Sequence, residues 1–190
     1  MRQMTGARMV VQALKDQGTL PDMVQIGNEI NHGMVWPDGH ISQPDQLAAL
    51  IKAGTEGVKA VDANVLIMLH LALGGQQDES IFWFDNMFSR GVDCDLIGLS
   101  YYPRWHGTLA DLESNMDALI VRYNKPVNVV EYSHRKYEVN AAAFALPDGK
   151  ATGSFIWEPL NTWEKVFDFD GKANEILLEY NVISRRFLKD

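Results

Sequence analysis

The chain has 190 residues, 46% apolar and 22% charged, with five Trp, six Tyr and eight Phe. That is enough for one domain with a sizeable core. A net charge of −8 leaves no basic stripe to attract nucleic acid or an anionic membrane, and it suits a neutral ligand. One cysteine, Cys94, excludes an internal disulfide and a cysteine-based metal site, and no apolar run approaches the roughly 20 residues of a membrane span.

The first six residues carry no signal-peptide apolar core and lead into a helix on which Val10, Val11 and Leu14 share a face, with Gly18 as its stop. Met23–Gly27 reads as a short apolar strand. A polar loop follows to Pro44, which suits a first helical position, and Leu47, Leu50, Ile51, Gly54 and Val58 form one face of the next helix. Val65–His70 is the second strand, followed by a Gly-rich loop and a helix near Ser80–Ser89. Asp95–Ser100 is the third strand, and Thr108 opens a helix to about Tyr123. Pro126–Val130 gives the fourth strand, with a shorter helix near Lys136–Leu146. Gly153–Trp157 gives the fifth, and a last helix spans about Ala173–Leu188.

The strands start 26 to 42 residues apart, and most are continuous apolar runs rather than alternating ones. Such runs mark strands buried on both faces, as in a parallel sheet with helical crossovers. The unit length suits a (β/α)8 barrel or a doubly wound sheet. No Gly-x-Gly-x-x-Gly or phosphate-loop pattern follows a strand, so the nucleotide-binding version has no support.

Parallel α/β folds place their chemistry at the C-terminal ends of strands. Those ends read Gly27-Asn28-Glu29, His70, Ser100-Tyr101-Tyr102-Pro103, Glu131-Tyr132 and Trp157-Glu158-Pro159. A single glutamate at a strand end is most often a surface or salt-bridging residue. Two of them, flanked by Trp and Tyr, suggest the pair that glycosidic cleavage needs: one acid to protonate the leaving oxygen, one carboxylate to attack the anomeric carbon or activate water. Burial and neighbouring charge can hold the first protonated and the second ionised.

These residues resemble a known family. Ile26-Gly27-Asn28-Glu29-Ile30-Asn31, followed by Gly33-Met34-Val35-Trp36-Pro37-Asp38-Gly39, is similar to the acid/base segment of glycoside hydrolase family 53, the arabinogalactan endo-β-1,4-galactanases. Asp95–Pro103 with Trp105-His106-Gly107 resembles the family's sixth strand, Val129-Val130-Glu131 its seventh, and Phe155–Pro159 its eighth. The resemblance implies a (β/α)8 barrel, here a partial one covering strands 4 to 8 in a single domain over residues 1–190. It implies a retaining hydrolase of β-1,4-galactan or type I arabinogalactan, acting outside the cytoplasm, with no cofactor. Glu29 would be the general acid/base and Glu131 the nucleophile. Asn28 would hold the sugar 2-hydroxyl, Tyr101 or Tyr102 would hydrogen-bond Glu131, and Trp157 would be a sugar platform. Trp36, His70, Trp105 and His106 are further sugar-binding candidates, with packing at the barrel rim as the competing reading. Glu158 reads as structural.

Two departures stand out. A barrel has about 250 residues, and five strands leave open edges and an uncovered core. Strands 1 to 3 are therefore expected to be missing, and the isolated chain to be weakly active or inactive. Only 25 residues separate Glu131 from Trp157, so the seventh loop is trimmed. Bacterial members of the family can bind a structural calcium near the last two loops; Asp168-Phe169-Asp170-Gly171 reads as an ordinary acidic turn, and no metal is expected. Two rivals remain. His32, His70, His106 and His134 near strand ends would suit zinc-assisted hydrolysis, but no His-x-His pair occurs. A polysaccharide-binding barrel without catalysis would have lost one of the two glutamates.

Overall fold

The computed structural model describes residues 2–147, 149–160 and 164–188. They form two compact units, one of residues 1–71 and 81–97, the other of residues 72–80 and 98–190.

The first unit contains helix α1 (Arg2–Asp16), strand β1 (Met23–Gln25), a 3-10 turn (Ile30–His32), helix α2 (Pro44–Lys59) and strand β2 (Leu66–Leu71), with most of helix α3 (Gln77–Phe88) and the start of strand β3 (Leu96–Tyr101). Strand order follows the chain, and β1 pairs with β2 in parallel, Val24 opposite Ile67. Helix α2 begins at Pro44, whose missing N–H is harmless in a first turn, and it buries Leu47, Ala48, Ile51 and Val58. Gly54 on that face explains how closely α2 lies over β1: a Cβ there would sit 3.0 Å from the Ile26 side chain. Trp83, Phe84 and Met87 of α3 complete this core. The Trp83 indole donates to the Ile30 carbonyl at 3.1 Å, which satisfies its one polar atom. Beside β1, which stands at the end of the sheet order, an apolar groove of about 1010 Å³ is lined by Val10, Val24, Ile26, Met34, Leu50 and Ala53.

The second unit holds the loop after β2, the rest of β3, helix α4 (Pro103–His106), helix α5 (Leu109–Tyr123), strand β4 (Val127–Tyr132), helix α6 (Lys136–Phe144), strand β5 (Ala151–Ile156), a 3-10 turn (Glu175–Leu177) and helix α7 (Leu178–Phe187). Its order is β3-β4-β5, with β4 and β5 parallel and two register irregularities between them. Every residue of β3 and β4 is buried, as expected of a strand covered on both faces. Helix α5 opens with a reciprocal capping box: the Asp111 amide donates to the Thr108 hydroxyl oxygen at 3.2 Å and the Thr108 amide to Asp111 at 2.7 Å. These Thr108 bonds hold the Asp111 carboxyl below the usual carboxylate range. The Gly-rich loop after β2 is pinned by Asn115, whose amide donates to Leu73 and Gly74 carbonyls and to the Ser80 hydroxyl. Gly75 has to be glycine, since a Cβ would fall 1.9 Å from the His106 carbonyl oxygen. At the far side, the Tyr132 and Tyr180 hydroxyls meet at 2.8 Å and Asn140 donates to Tyr132, tying β4, α6 and α7 together.

Sequence and structure agree on every strand to within two residues. The helix α4 is an addition: Pro103 pre-sets a first turn directly after β3, and four residues are too few for periodicity to reveal. The last helix starts later than expected because Asn174 caps the 3-10 turn that precedes it. Among the described residues, no helix is long and apolar enough to cross a membrane.

Candidate active site

In the first unit, the turn after β1 sets Glu29 in a left-handed backbone conformation, φ 47° and ψ 53°. For a residue with a Cβ this costs about 1–3 kcal/mol, and such strain collects at functional sites. It is held from three sides. The Glu29 amide donates to His70 Nδ1 at 3.4 Å, the Trp83 indole takes the Ile30 carbonyl, and the Gly33 amide takes the same carbonyl at 2.8 Å. His70 lies on β2 with no exposed surface, so its ring supports the turn. Glu29 is half-buried, and Asn28 beside it is exposed, its side-chain oxygen accepting from Gln25 at 3.1 Å. Trp36 is 63% exposed on the following loop and meets the His40 ring edge-on at 4.5 Å.

In the second unit, Glu131 closes β4 with 8% of its surface exposed. The sequence left Tyr101 and Tyr102 as alternative partners for it. Strand alternation decides: the Tyr102 hydroxyl donates to Glu131 Oε2 at 3.3 Å, whereas Tyr101 is fully enclosed and its hydroxyl reaches the Gly107 carbonyl at 3.3 Å. Burial, the largest influence, pushes the Tyr101 phenol up, so it stays neutral. His106 is buried, its Nδ1 2.9 Å from the Ser100 carbonyl and 3.1 Å from the Tyr102 amide, where it braces the turn into α4. Trp105 is half exposed and lies edge-on to Tyr102 at 6.1 Å. Trp157, just past β5, is 40% exposed, with its amide on the Tyr132 carbonyl at 2.8 Å. Glu158 is exposed, with φ 39°.

Sequence reasoning missed one cluster here. Lys136, the first residue of α6, has a fully enclosed side chain, and its ammonium donates to the Ser133 carbonyl at 2.8 Å and to Glu164 Oε2 at 2.6 Å. The other oxygen of Glu164 accepts from His134 Nδ1 at 2.8 Å. Burial pushes the Glu164 carboxyl up, but the Lys136 and His134 hydrogen bonds and charges outweigh it and hold it below the usual range. A lysine at a helix start reads as solvated, and Glu164 lies 28 residues away, so nothing local signalled the pair.

At the acidic turn Asp168–Gly171 the exposed Lys172 ammonium sits 2.8 Å from Asp170, and the Asp168 amide donates to the Lys172 carbonyl.

The model of Glycosyl hydrolase family 53 matches residues 7–143. A Niallia circulans protein named "Uncharacterized protein in bgaB 5'region" is 46% identical over 133 residues, 66% of this chain and 36% of its own. The probable arabinogalactan endo-beta-1,4-galactanase A of Aspergillus flavus is 30% identical over 194 aligned positions, 84% of this chain and 55% of its own. Among solved structures, the Ignisphaera aggregans GH53 catalytic domain matches with a TM-score of 0.88 at 29% identity, over 96% of this chain and 64% of that one. The fold is therefore that of the (β/α)8 barrel, of which this chain carries five β/α units. The chain spans between about a third and just over half of the length of the two curated relatives. With the family model covering most of its residues, the chain belongs to glycosyl hydrolase family 53.

Proposed function

We propose that this chain carries the catalytic carboxylates of a retaining β-1,4-galactanase. Family membership supports the reaction class, and the relatives named as arabinogalactan endo-beta-1,4-galactanases support β-galactan as the substrate. The observation that carries the assignment is Glu131: a nearly enclosed carboxylate at a strand end, receiving a tyrosine hydroxyl, beside half-exposed aromatic rings.

In this mechanism Glu131 attacks the anomeric carbon while Glu29 gives its proton to the departing glycosidic oxygen. Water then cleaves the glycosyl–Glu131 ester as Glu29 takes the water's proton back. The chemistry requires the two carboxyls about 5 Å apart. The Tyr102 hydroxyl donates to Glu131 Oε2 and so helps to orient the carboxylate for attack. Asn28 would bind the sugar 2-hydroxyl, with Trp36, Trp105 and Trp157 as platforms. His70, His106 and Tyr101 would act from behind, by fixing Glu29, Tyr102 and the β3 end.

The length relative to the family's barrels, the β1 edge and the apolar groove beside it support a reading in which further β/α units pack there in an active enzyme. Alone, the chain should release galacto-oligosaccharides from β-1,4-galactan slowly. Glu29→Gln should lower that release by about 10²–10⁴-fold, the range of a lost acid/base contribution, and Glu131→Gln, which removes the nucleophile, by at least as much. Release unaffected by both changes would refute the assignment.

A further inference from the structure

The second unit holds a pocket that the proposed reaction does not use. About 510 Å³ lies open between strand β5 and helices α6 and α7, with Phe144, Ile156, Ile183 and Leu188 among its walls. Tyr132 also lines it. Glu131 and Tyr132 are consecutive in β4, so their side chains leave opposite faces of the strand, and the pocket lies on the face away from the carboxylate. Strand β5 makes room for it. Two steps along β4, from Val127 to Val129, match three along β5, from Ala151 to Ser154, and Gly153 falls within this bulge. A Cβ at Gly153 would have only the tip of the Phe144 ring within 4 Å, at 3.9 Å. The Phe144 ring is held in turn by Phe187, stacked on it at 5.2 Å.

The polar side of the pocket is a relay of hydrogen bonds with an open end. Ser154 Oγ donates to Asn140 Oδ1 at 2.9 Å. Asn140 Nδ2 gives its two protons to the Tyr132 hydroxyl at 3.0 Å and the Lys136 carbonyl at 2.8 Å. The Tyr132 and Tyr180 hydroxyls then meet at 2.8 Å. Two phenols carry two protons, and this contact takes one. The Tyr132 oxygen already accepts from Asn140, so Tyr132 is the donor to Tyr180. The Tyr180 proton has no acceptor among the described residues and is left for one in the pocket. Each bond in the series polarises the next, which makes the last O–H a better donor. Burial, and then the Tyr132 hydroxyl, push the Tyr180 phenol far up, so it keeps its proton. Tyr132 is fully enclosed and Asn140 is 4% exposed, so the relay is fixed within the fold.

We propose that this pocket binds a neutral aromatic molecule carrying one carbonyl or ether oxygen, with Tyr180 as the donor to that oxygen. Neutrality follows from the walls. Tyrosines are the only titratable groups among the described residues lining the pocket, so a bound carboxylate or ammonium would be buried without a counter-charge. The volume falls within the roughly 300–1,000 Å³ of small-molecule sites, and apolar walls with one placed polar group are their usual make-up. The rings of Phe144, Phe155 and the two tyrosines favour a flat aromatic occupant through edge-to-face and offset contacts. This site does not depend on the reaction assigned to Glu29 and Glu131.

The test titrates the 190-residue chain with 4-fluoroacetophenone, followed by fluorine NMR of the ketone. Two compounds of similar shape serve as controls: 4-fluoroethylbenzene lacks the oxygen, and 4-fluorobenzoate carries a charge. The ketone should bind saturably, about three- to tenfold more tightly than 4-fluoroethylbenzene, the worth of one hydrogen bond. The benzoate should bind about tenfold or more weakly than the ketone. Tyr180→Phe keeps the ring and removes the donor; it should lower the ketone's affinity by about three- to tenfold and leave that of 4-fluoroethylbenzene unchanged. Ser184→Trp, at an exposed position lining the pocket, should abolish binding of both with the fold intact by circular dichroism, and it decides the matter should Tyr180→Phe not fold. Ketone affinity unchanged in either variant, or benzoate bound as tightly as ketone, would overturn the proposal. Ketone affinity that falls as the protein is concentrated would place a second copy of the chain in the pocket and overturn the small-molecule assignment.

Discussion

Lys136 and Glu164 make an asymmetric pair. The lysine side chain is fully enclosed and the glutamate is 34% exposed. Removing one partner of a buried ion pair costs about 3–5 kcal/mol because the other charge is stranded. Glu164→Gln strands the enclosed ammonium on the Ser133 carbonyl and an amide oxygen. Solvent at Glu164 screens part of the original attraction, so the expected loss is about 2 kcal/mol. Lys136→Met removes the charge that needs a partner and leaves Glu164 with His134 and water. Its expected cost is about 1 kcal/mol, mainly the orphaned Ser133 carbonyl. The double variant should resemble Lys136→Met rather than the sum. The direction with pH follows from the depressed Glu164 carboxyl. The stability it contributes is complete above the ordinary value near 4.5 and is lost as pH falls through the lower folded-state value. Urea unfolding at pH 7 and over a series down to pH 3 measures all of this. Glu164→Gln within about 0.5 kcal/mol of the parent at pH 7, or a gap that widens on acidification, would refute the reasoning.

Other outcomes follow from individual contacts. Trp83→Phe removes the indole donor to the Ile30 carbonyl and should cost about 1–3 kcal/mol in thermal or urea unfolding. Gly75→Ala places a Cβ 1.9 Å from the His106 carbonyl and should cost about 1–3 kcal/mol, read the same way. Thr108→Ala removes the side-chain cap of α5 and should cost about 1 kcal/mol. Tyr102→Phe deletes the donor to Glu131 and should lower galactan cleavage by about tenfold with the fold intact by circular dichroism, whereas Tyr101→Phe leaves Glu131 its donor.

The β/α alternation was legible because long-range burial leaves a local trace. Residues 96–101 and 127–132 are enclosed on both faces, and such enclosure favours the mainly apolar stretches seen in the sequence, such as Leu96–Leu99 and Val129-Val130, with Ser100, Asn128 and Glu131 as buried polar exceptions. Candidate site residues were legible for a related reason, since strand ends can be read once strands are found, and Asn28-Glu29 and Glu131 stand there. What escaped was whatever depends on a partner distant in sequence or on a single dihedral. Alternation identifies which of Tyr101 and Tyr102 faces Glu131 only once the strand's orientation is known. The left-handed Glu29 is set by Trp83 and His70, 54 and 41 residues away, and no propensity of Glu suggests it. Lys136 looked like an ordinary first-turn lysine because Glu164, which makes its burial possible, comes after β5.

The assignment of Glu131 can be tested by trapping. An activated 2-deoxy-2-fluoro-β-galactobioside forms the glycosyl–enzyme ester and hydrolyses it very slowly, so even a sluggish chain accumulates label. Mass spectrometry of the labelled, digested protein should show one glycosyl group per chain on the peptide containing Val127–Tyr132, at Glu131, and none in Glu131→Gln. Label on Glu158 or Glu164, or galactan cleavage continuing with no label at any carboxylate, would contradict the account.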